Sequence, residues 1–293
     1  MHESRRFSER RNAHLVVETP AKVNLYLRVA GRRPDGYHDL ETLMCPVGIH
    51  DRIVIRKAES GIRVECGHPD VPGGRDNIAH RAAESFFGLS GLNGGVHIDI
   101  EKNIPVGAGM GGGSSDAAGV LCGLNRLFGD PLEREVLHGA GLALGADVPF
   151  FVDCVPAWAT GVGDVLEPVA GLYPHHLVVV YPGVVVNTGS VYKKFNLALT
   201  RCQKIHRLPE FNGEPSLVEE LLCNDLETVT LHDFPPIARA RKALVDAGAR
   251  GALMSGSGSA VFGLFRSRPE AREAMDRLDA DSGWRAYAAP LVV

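Results

Sequence analysis

At 293 residues and 45% hydrophobic composition, the chain can build two packed domains, because a single core rarely outgrows ~250 residues. A formal net charge of −4, with no Lys/Arg cluster beyond the first residues, argues against a nucleic-acid surface and points to a small partner. Cysteines 45, 66, 122, 154, 202 and 223 include no C-x-x-C, so neither a zinc site nor a disulfide framework is indicated, and all six read as reduced thiols of a cytoplasmic protein.

Residues 1–13 are charged, lack the apolar stretch of a secretory signal and are expected to form a tail that packs little. No run approaches the ~20 apolar residues of a membrane span. From His14 the pattern turns regular: Val23, Leu25, Leu27 and Val29 alternate with Asn24, Tyr26 and Arg28 as in a strand with one core face. Within it Lys22 is out of place, since lysine is depleted in strands and its charge is awkward near a core. A snorkelling or edge lysine is the ordinary alternative. Pro34-Asp35-Gly36 predicts a turn that presents Tyr37 and His38 at the next strand start. The pair suits a half-buried rim, and equally a flat heterocycle that stacks on one ring and hydrogen-bonds to the other.

Two strands around Glu59-Ser60-Gly61 follow, then a helix capped by Asp76 or Asn77 that buries Ala79, Ala82, Ala83 and Phe86. VHIDIEK alternates again and delivers the chain to PVGAGMGGGSSDAAG at residues 105–119. Gly107, Gly109, Gly111, Gly112 and Gly113 let another molecule's oxygens approach the main-chain N–H groups. Ser114, Ser115 and Asp116 offer capping chemistry to the helix that follows, whose free N–H donors and positive dipole end bind phosphate. The P-loop needs a Gly-Lys pair, which the chain lacks, and G-x-G-x-x-G fits only loosely. Lys102, just before the loop, reads as a phosphate contact or as an ordinary strand-end lysine.

A second helix places Pro131 in its first turn and stops at Gly145. Asp147 then lies past a helix C-terminus, where a carboxylate costs roughly 0.3–1 kcal/mol and wants a cationic partner or a task. A second region starts near residue 165 with the buried strand LVVVYP, followed by Thr188 and Tyr192 in VVNTGSVYKKF. Residues 200–215 read as a connection. Helices are expected at SLVEELLC, DLETVTL, PPIARARKALVDAG and EAREAMDRLDA, two short strands around Ser255-Gly256-Ser257-Gly258-Ser259, and a closing strand in WRAYAAPLVV. Taken alone, the Ser-Gly segment needs no function.

PVGAGMGGGSSDAAG, taken together with MSGSGSAVFG, resembles the phosphate-binding and C-terminal glycine motifs of the GHMP small-molecule kinases. AKVNLYLRVAGRRPDGYHDLETLM and GADVPFF are similar to the branch of that family acting on a cytidine diphosphate-linked methylerythritol in non-mevalonate isoprenoid synthesis. The resemblance runs from about Thr19 to Phe265. It implies an α+β, two-domain GHMP kinase fold. Residues 14–165 would form an N-terminal ATP-binding kinase domain with a left-handed β-α-β crossover, and residues 166–293 a ferredoxin-like domain that completes the substrate cleft.

For the site, the resemblance implies Asp147 as general base and Lys22 as its paired lysine. Pro105, Gly107, Gly109, Gly111, Gly112, Gly113, Ser114 and Ser115 would serve ATP with Mg2+, with no protein metal ligand assigned, and Lys102 is counted with them for its place just before the loop. Asn24, Tyr37, His38, Thr188 and Tyr192 would serve the alcohol and its cytosine. Met110 replaces a usual leucine, and Thr160 stands where an acidic residue is expected, so no role is carried over from that strand. Nucleic-acid and membrane partners are not expected, and the assembly expected is a monomer or weak homodimer. Rival readings are a homoserine, mevalonate or galactose kinase, diphosphomevalonate decarboxylase, or a non-catalytic nucleotide-binding relative. Gly-Tyr-His after Pro-Asp-Gly discriminates among the enzymes, because a substrate without a base has no use for an aromatic clamp.

Overall fold

The computed structural model describes residues 7–11 and 14–293. Strand β1 (Phe7–Arg11) and the long strands β2 (His14–Arg32) and β3 (His38–Ala58) lead to β4 (Gly61–Cys66), helix α1 (Ile78–Ser90) and β5 (Gly95–Glu101). Helices α2 (Gly112–Leu127), α3 (Arg134–Leu144) and α4 (Val148–Asp153) precede β6 (Ala157–Thr160), β7 (Val165–Pro168) and β8 (His176–Tyr181). Then come α5 (Thr188–Lys194), α6 (Pro215–Leu221), β9 (Cys223–Asn224), α7 (Glu227–Asp233) and α8 (Pro235–Asp246). The chain closes with β10 (Ala252–Met254), β11 (Val261–Phe265), α9 (Arg268–Ser282) and β12 (Arg285–Pro290). The residues divide into two compact units.

The first unit takes in the described part of Met1–Ala21 with Ile49–Val106 and Gly111–Cys154. Its sheet follows the order β1-β2-β3-β5-β4. Strands β3 and β5 are antiparallel, whereas β4 and β5 are parallel neighbours from Gly61↔Gly95 to Cys66↔Ile100. A parallel pair needs a long connection, and α1 supplies it as a β-α-β crossover. That helix forms where Ala79, Ala82, Ala83 and Phe86 recur on one buried face, starts at Asn77, whose side chain accepts from the Ala79 N–H, and stops at Gly91 with φ +66°. Helix α2 lies close on the sheet through its glycines. A Cβ on Gly119 would sit 2.2 Å from Thr19 Cγ2, and one on Gly123 would sit 2.7 Å from Ile55 Cδ1. Small residues here set the distance between helix and sheet, so they fix where the helix N-terminus stands.

The second unit takes in Lys22–Gly48, Gly107–Met110 and Val155–Val293. An antiparallel sheet in the order β10-β11-β8-β12 carries α8 and α9. Val178, Val180, Ala240, Leu244, Val261 and Phe265 belong to its core. In the same unit β6 pairs with β3 at Thr42↔Ala159, and β9 pairs in parallel with β2 at Tyr26↔Cys223. Helices and strands are mixed in both units, as an α+β chain requires. Among the described residues no helix is long and apolar enough to cross a membrane.

Several expectations are corrected. Phe7–Arg11 is not loose tail but a strand paired with β2, with Phe7 opposite Val17. Cys202 and Cys223 are joined by a disulfide, so the reduced state expected of all six cysteines fails for these two. The spacing of 21 residues carries no motif, and only folding brings the pair together. Pro131 lies before α3, whose N-cap is Glu133, rather than in its first turn.

Candidate active site

Three glycines give the 105–119 stretch its path, with φ +68° at Gly107, +76° at Gly109 and +71° at Gly111. Gly109 could not be another residue, because a Cβ there would lie 2.3 Å from the Ser255 carbonyl oxygen. In the second unit, the Ala260 N–H donates to the Ala108 carbonyl (3.0 Å) and the Lys22 N–H to the Met110 carbonyl (2.9 Å). Ser255 Oγ donates to the Gly109 carbonyl (3.0 Å). The first half of the loop is thereby held by Lys22 and by the Ser255–Ser259 turn. Pro105 is buried and Gly107 exposed.

In the first unit, α2 begins at Gly112 with Gly111 as N-cap and no side-chain cap. The capping expected of Ser114, Ser115 and Asp116 is therefore corrected: the helix starts earlier, and Gly112, Gly113 and Ser114 carry its first-turn N–H donors. Ser115 Oγ donates instead to the Pro20 carbonyl (2.6 Å). Asp116 accepts from Thr19 Oγ1 (2.9 Å) and from Lys102 Nζ (2.6 Å). Lys102 Nζ also donates to Asp51, whose other oxygen accepts from the Asn103 (2.6 Å) and Ile104 (2.8 Å) N–H groups. A Cβ on Gly112 would be 3.3 Å from Lys102 Nζ, so this ammonium lies beside the loop with its side chain only 4% exposed.

One cation serves two buried carboxylates here. Burial pushes the Asp116 carboxyl up to about 7; Lys102 opposes the shift and the charge of Asp51 adds to it. For Lys102 burial works downward, but Asp116 and Asp51 outweigh it and the net direction is up. The ammonium stays charged, and the second carboxylate is the one disfavoured. An unfolded aspartate titrates near ~4, so from there to about 7 the folded state holds the extra proton and stability falls as pH rises. Across that window, urea unfolding midpoints are expected to fall with pH more steeply for the wild type than for Asp116→Asn. Parallel curves would remove the assignment.

Lys22, in the second unit, heads a buried chain of donors. Its Nζ donates to Asn24 Oδ1 (2.7 Å), Asn24 Nδ2 donates to Thr42 Oγ1 (2.8 Å), and Thr42 Oγ1 donates to the Tyr26 carbonyl (2.6 Å). A carbonyl can only accept, so the direction of every bond is forced and the Asn24 amide is locked with its oxygen toward Lys22. A Cβ on Gly256 would be 3.6 Å from both Lys22 Nζ and Asn24 Oδ1, which places the Ser255–Ser259 turn against this pair. Asn224 holds that turn by donating to the Met254 and Gly256 carbonyls, 2.8 Å each.

The turn at residues 34–36 forms as expected. Tyr37 is 66% exposed, and its N–H donates to Asp35 Oδ1 (3.0 Å). His38 lies against Tyr192 with ring centroids 5.2 Å apart and planes tilted by 30°. Burial, helped by Arg32, lowers the His38 pKa and so favours the neutral ring. Thr188 opens α5, and its Oγ1 shares a hydrogen bond of 2.7 Å with Ser257 Oγ.

Asp147, in the first unit, is half-buried. It follows the end of α3, but it is also the N-cap residue of α4, with φ −81° and ψ −13°. The unfavourable dipole argued from α3 is thus offset by the favourable end of a helix that periodicity did not show. Within the second unit the structure brings together Lys22 with Asn24, His38 with Tyr192, and Gly109 with the Ser255–Ser259 turn. In the first unit it joins Lys102 to the helix that carries Gly112, Gly113, Ser114 and Ser115. Asn224, Asp225, Ser255 and Ser257 escaped assignment. An Asn-Asp pair between apolar segments was the available signal for the first two, since such a pair in a core must bond to backbone.

A family model described as the GHMP kinases N terminal domain matches residues 77–154, and one described as the GHMP kinases C terminal matches residues 208–282. The 4-diphosphocytidyl-2-C-methyl-D-erythritol kinase of Syntrophotalea carbinolica is 52% identical over 92% of this chain and 96% of its own. The enzyme of the same name from Geobacter metallireducens is 48% identical over 95% and 99%. A crystal structure of 4-(cytidine 5'-diphospho)-2C-methyl-D-erythritol kinase superposes with a TM-score of 0.82 at 40% identity, covering 95% of this chain and 99% of that one. A homoserine kinase from Cytophaga hutchinsonii, 17% identical with a TM-score of 0.73, shares the fold. At this identity and coverage the chain belongs to the 4-diphosphocytidyl-2-C-methyl-D-erythritol kinase family of GHMP kinases, ATP-dependent enzymes that phosphorylate small molecules.

Proposed function

We propose that this protein transfers the γ-phosphoryl group of ATP to the 2-hydroxyl of 4-diphosphocytidyl-2-C-methyl-D-erythritol, in non-mevalonate isoprenoid precursor synthesis. The observation that carries the choice of acceptor is the aromatic group at the start of β3. Tyr37 stands exposed next to a His38 ring that is held against Tyr192 and kept toward its neutral form. A cytosine offers a flat face and a polar edge, and these three side chains match both. An acceptor such as homoserine or mevalonate would leave them without a task.

Phosphoryl transfer asks the protein mainly for positioning and charge stabilisation. Gly107, Gly109, Gly111, Gly112, Gly113, Ser114 and Ser115 would receive the phosphates on main-chain N–H groups, with Pro105 stiffening the approach and Lys102 adding positive charge from beneath. Mg2+ would arrive with ATP as part of the substrate and would offset the charge of its phosphates. Asp116 is a poor protein ligand for it, because its oxygens already accept from Thr19 and Lys102. Asp147 would take the hydroxyl proton, and Lys22 would offset charge on the transferred group. Asn24 and Thr188 would orient the acceptor, and Tyr37, His38 and Tyr192 its cytosine. Residues 14–165 are proposed as the kinase domain and 166–293 as the domain completing the substrate site. The two family matches fall on either side of that boundary. The protein would work in the cytoplasm as a monomer or weak homodimer, without nucleic acid or membrane.

An ADP-release panel tests the reading. Turnover is expected with the cytidyl alcohol and not with homoserine, mevalonate or galactose; turnover only with one of the latter would overturn it. His38→Ala should raise KM for the cytidyl alcohol by ~10-fold or more, the worth of one lost hydrogen bond to a base edge, and leave KM for ATP unchanged.

A further inference from the structure

The Cys202–Cys223 disulfide is not used by the proposed chemistry, yet it sits at the junction that holds the Ser255–Ser259 turn. Cys223 opens β9, where it pairs with Tyr26, and Asn224 pairs with Leu27. Asn224 is the residue whose amide donates to the Met254 and Gly256 carbonyls, while its own oxygen accepts from the Leu226 N–H (3.0 Å). Every polar atom of that side chain is committed, so a shift of β9 moves the turn with it. Asp225 is fully buried. One of its oxygens accepts from the Arg201 (2.8 Å) and Cys202 (2.9 Å) N–H groups, the other from Val29 on β2 (2.9 Å). The Tyr26 hydroxyl donates to the Gln203 carbonyl.

The segment after Thr200 has no helix or strand of its own until α6 begins at Pro215. It is pinned at one end by Asp225, Tyr26 and the disulfide, all of which converge on β2 and β9. We propose that Cys202–Cys223 is a reversible thiol–disulfide modification site, a redox clamp that when oxidised fastens residues 201–210 and the Ser255–Ser259 turn and when reduced releases both. Cys223 is half-buried and Cys202 buried, so an incoming thiolate meets the Cys223 sulfur. A protein or small-molecule dithiol would be the reductant. Its first thiolate forms a mixed disulfide with Cys223 and expels the Cys202 thiolate, which takes up a proton. Its second thiolate then forms the dithiol's own disulfide and expels Cys223. One S–S bond breaks and one forms, and two electrons and two protons pass to the protein.

Cys202, Cys223 and Asp225 also lie close enough together to be weighed as a metal site. The Asp225 oxygens are already occupied by three main-chain N–H groups, which favours the disulfide.

The test compares the full-length protein equilibrated in oxidising and reducing dithiol buffers. Differential alkylation read by mass spectrometry should find Cys202 and Cys223 protected together in the oxidised sample while Cys66 is labelled in both. Reduction should speed tryptic cleavage after Lys204 and Arg207 by ~10-fold and raise hydrogen exchange across residues 254–260. It should also lower kcat with the cytidyl alcohol by ~5-fold, reversibly, with KM values little changed. A double variant, Cys202→Ser with Cys223→Ser, should behave in both buffers as the reduced wild type does. The clamp is overturned if both cysteines label in the oxidising buffer, if cleavage and exchange are equal in the two states, or if the reduced protein instead holds a stoichiometric metal ion. The kcat comparison rests on the proposed acceptor. Should that alcohol not be turned over, the labelling, cleavage and exchange measurements still decide the clamp.

Discussion

Asp147→Asn is expected to lower kcat for phosphorylation of the cytidyl alcohol by ~10²–10⁴-fold, the range for removal of a general base, or roughly 3–5 kcal/mol of transition-state stabilisation. The change keeps shape and hydrogen-bonding capacity and removes the ability to take up a proton. It should cost the fold little. The turn Asp147 occupies is held by Pro149 near the start of α4 and by buried Val148, Phe150 and Phe151. The thermal midpoint should therefore stay within a few degrees, and KM for ATP within a few-fold. Single-turnover rates with saturating MgATP give the clearest measurement. A variant that keeps kcat within a factor of about three would show that the proton leaves by another route, as a loose transition state permits.

Local pattern carried much of the architecture. The alternation of Val23, Leu25, Leu27 and Val29 falls in β2, although the strand has two buried faces there rather than the one expected, since Asn24 and Tyr26 are buried too, and the Ala79, Ala82, Ala83 and Phe86 face is the buried side of α1. Turn chemistry at Pro34-Asp35-Gly36 delivered Tyr37 and His38 to the start of β3. The misses share a cause, which is that long-range contacts have no period. Asp116 stands with Ser114 and Ser115 where the helix was expected to be capped, but its partners are Thr19 and Lys102, 97 and 14 residues away. Cys202 and Cys223 carry no motif spacing, and β9 is a two-residue strand that exists only because β2 offers it an edge. Helix α4 is six residues long, below the length at which a 3.6-residue period can be seen. The Ser255–Ser259 turn, taken alone, needs no function for the same reason: its anchors, Asn224 and Gly109, lie far away in the chain.

Lys22 was legible as an anomaly, a charge on an apolar strand, and its surroundings now say how it is kept there. The side chain runs into a buried chain of donors that ends on a main-chain carbonyl, so Asn24 must present its oxygen and Lys22 must remain the donor. Holding an ammonium this way costs desolvation that a purely structural lysine would avoid by snorkelling to solvent. Replacing it should show whether that cost serves the reaction. Lys22→Met, which keeps the length and apolar stem, is expected to lower kcat by ~10²–10³-fold, as loss of one preorganised electrostatic contact to the transferred phosphoryl group does. KM for either substrate should change by less than about ten-fold. Asn24→Ala separates positioning from structure: it frees the ammonium from its orienting oxygen but leaves the charge, so it should lose kcat by less than Lys22→Met. Adding small primary amines should restore part of the Lys22→Met loss and none of the Asn24→Ala loss. If Lys22→Met instead lost stability with kcat intact in the fraction that stays folded, Lys22 would be a core cation that serves only the packing of β2.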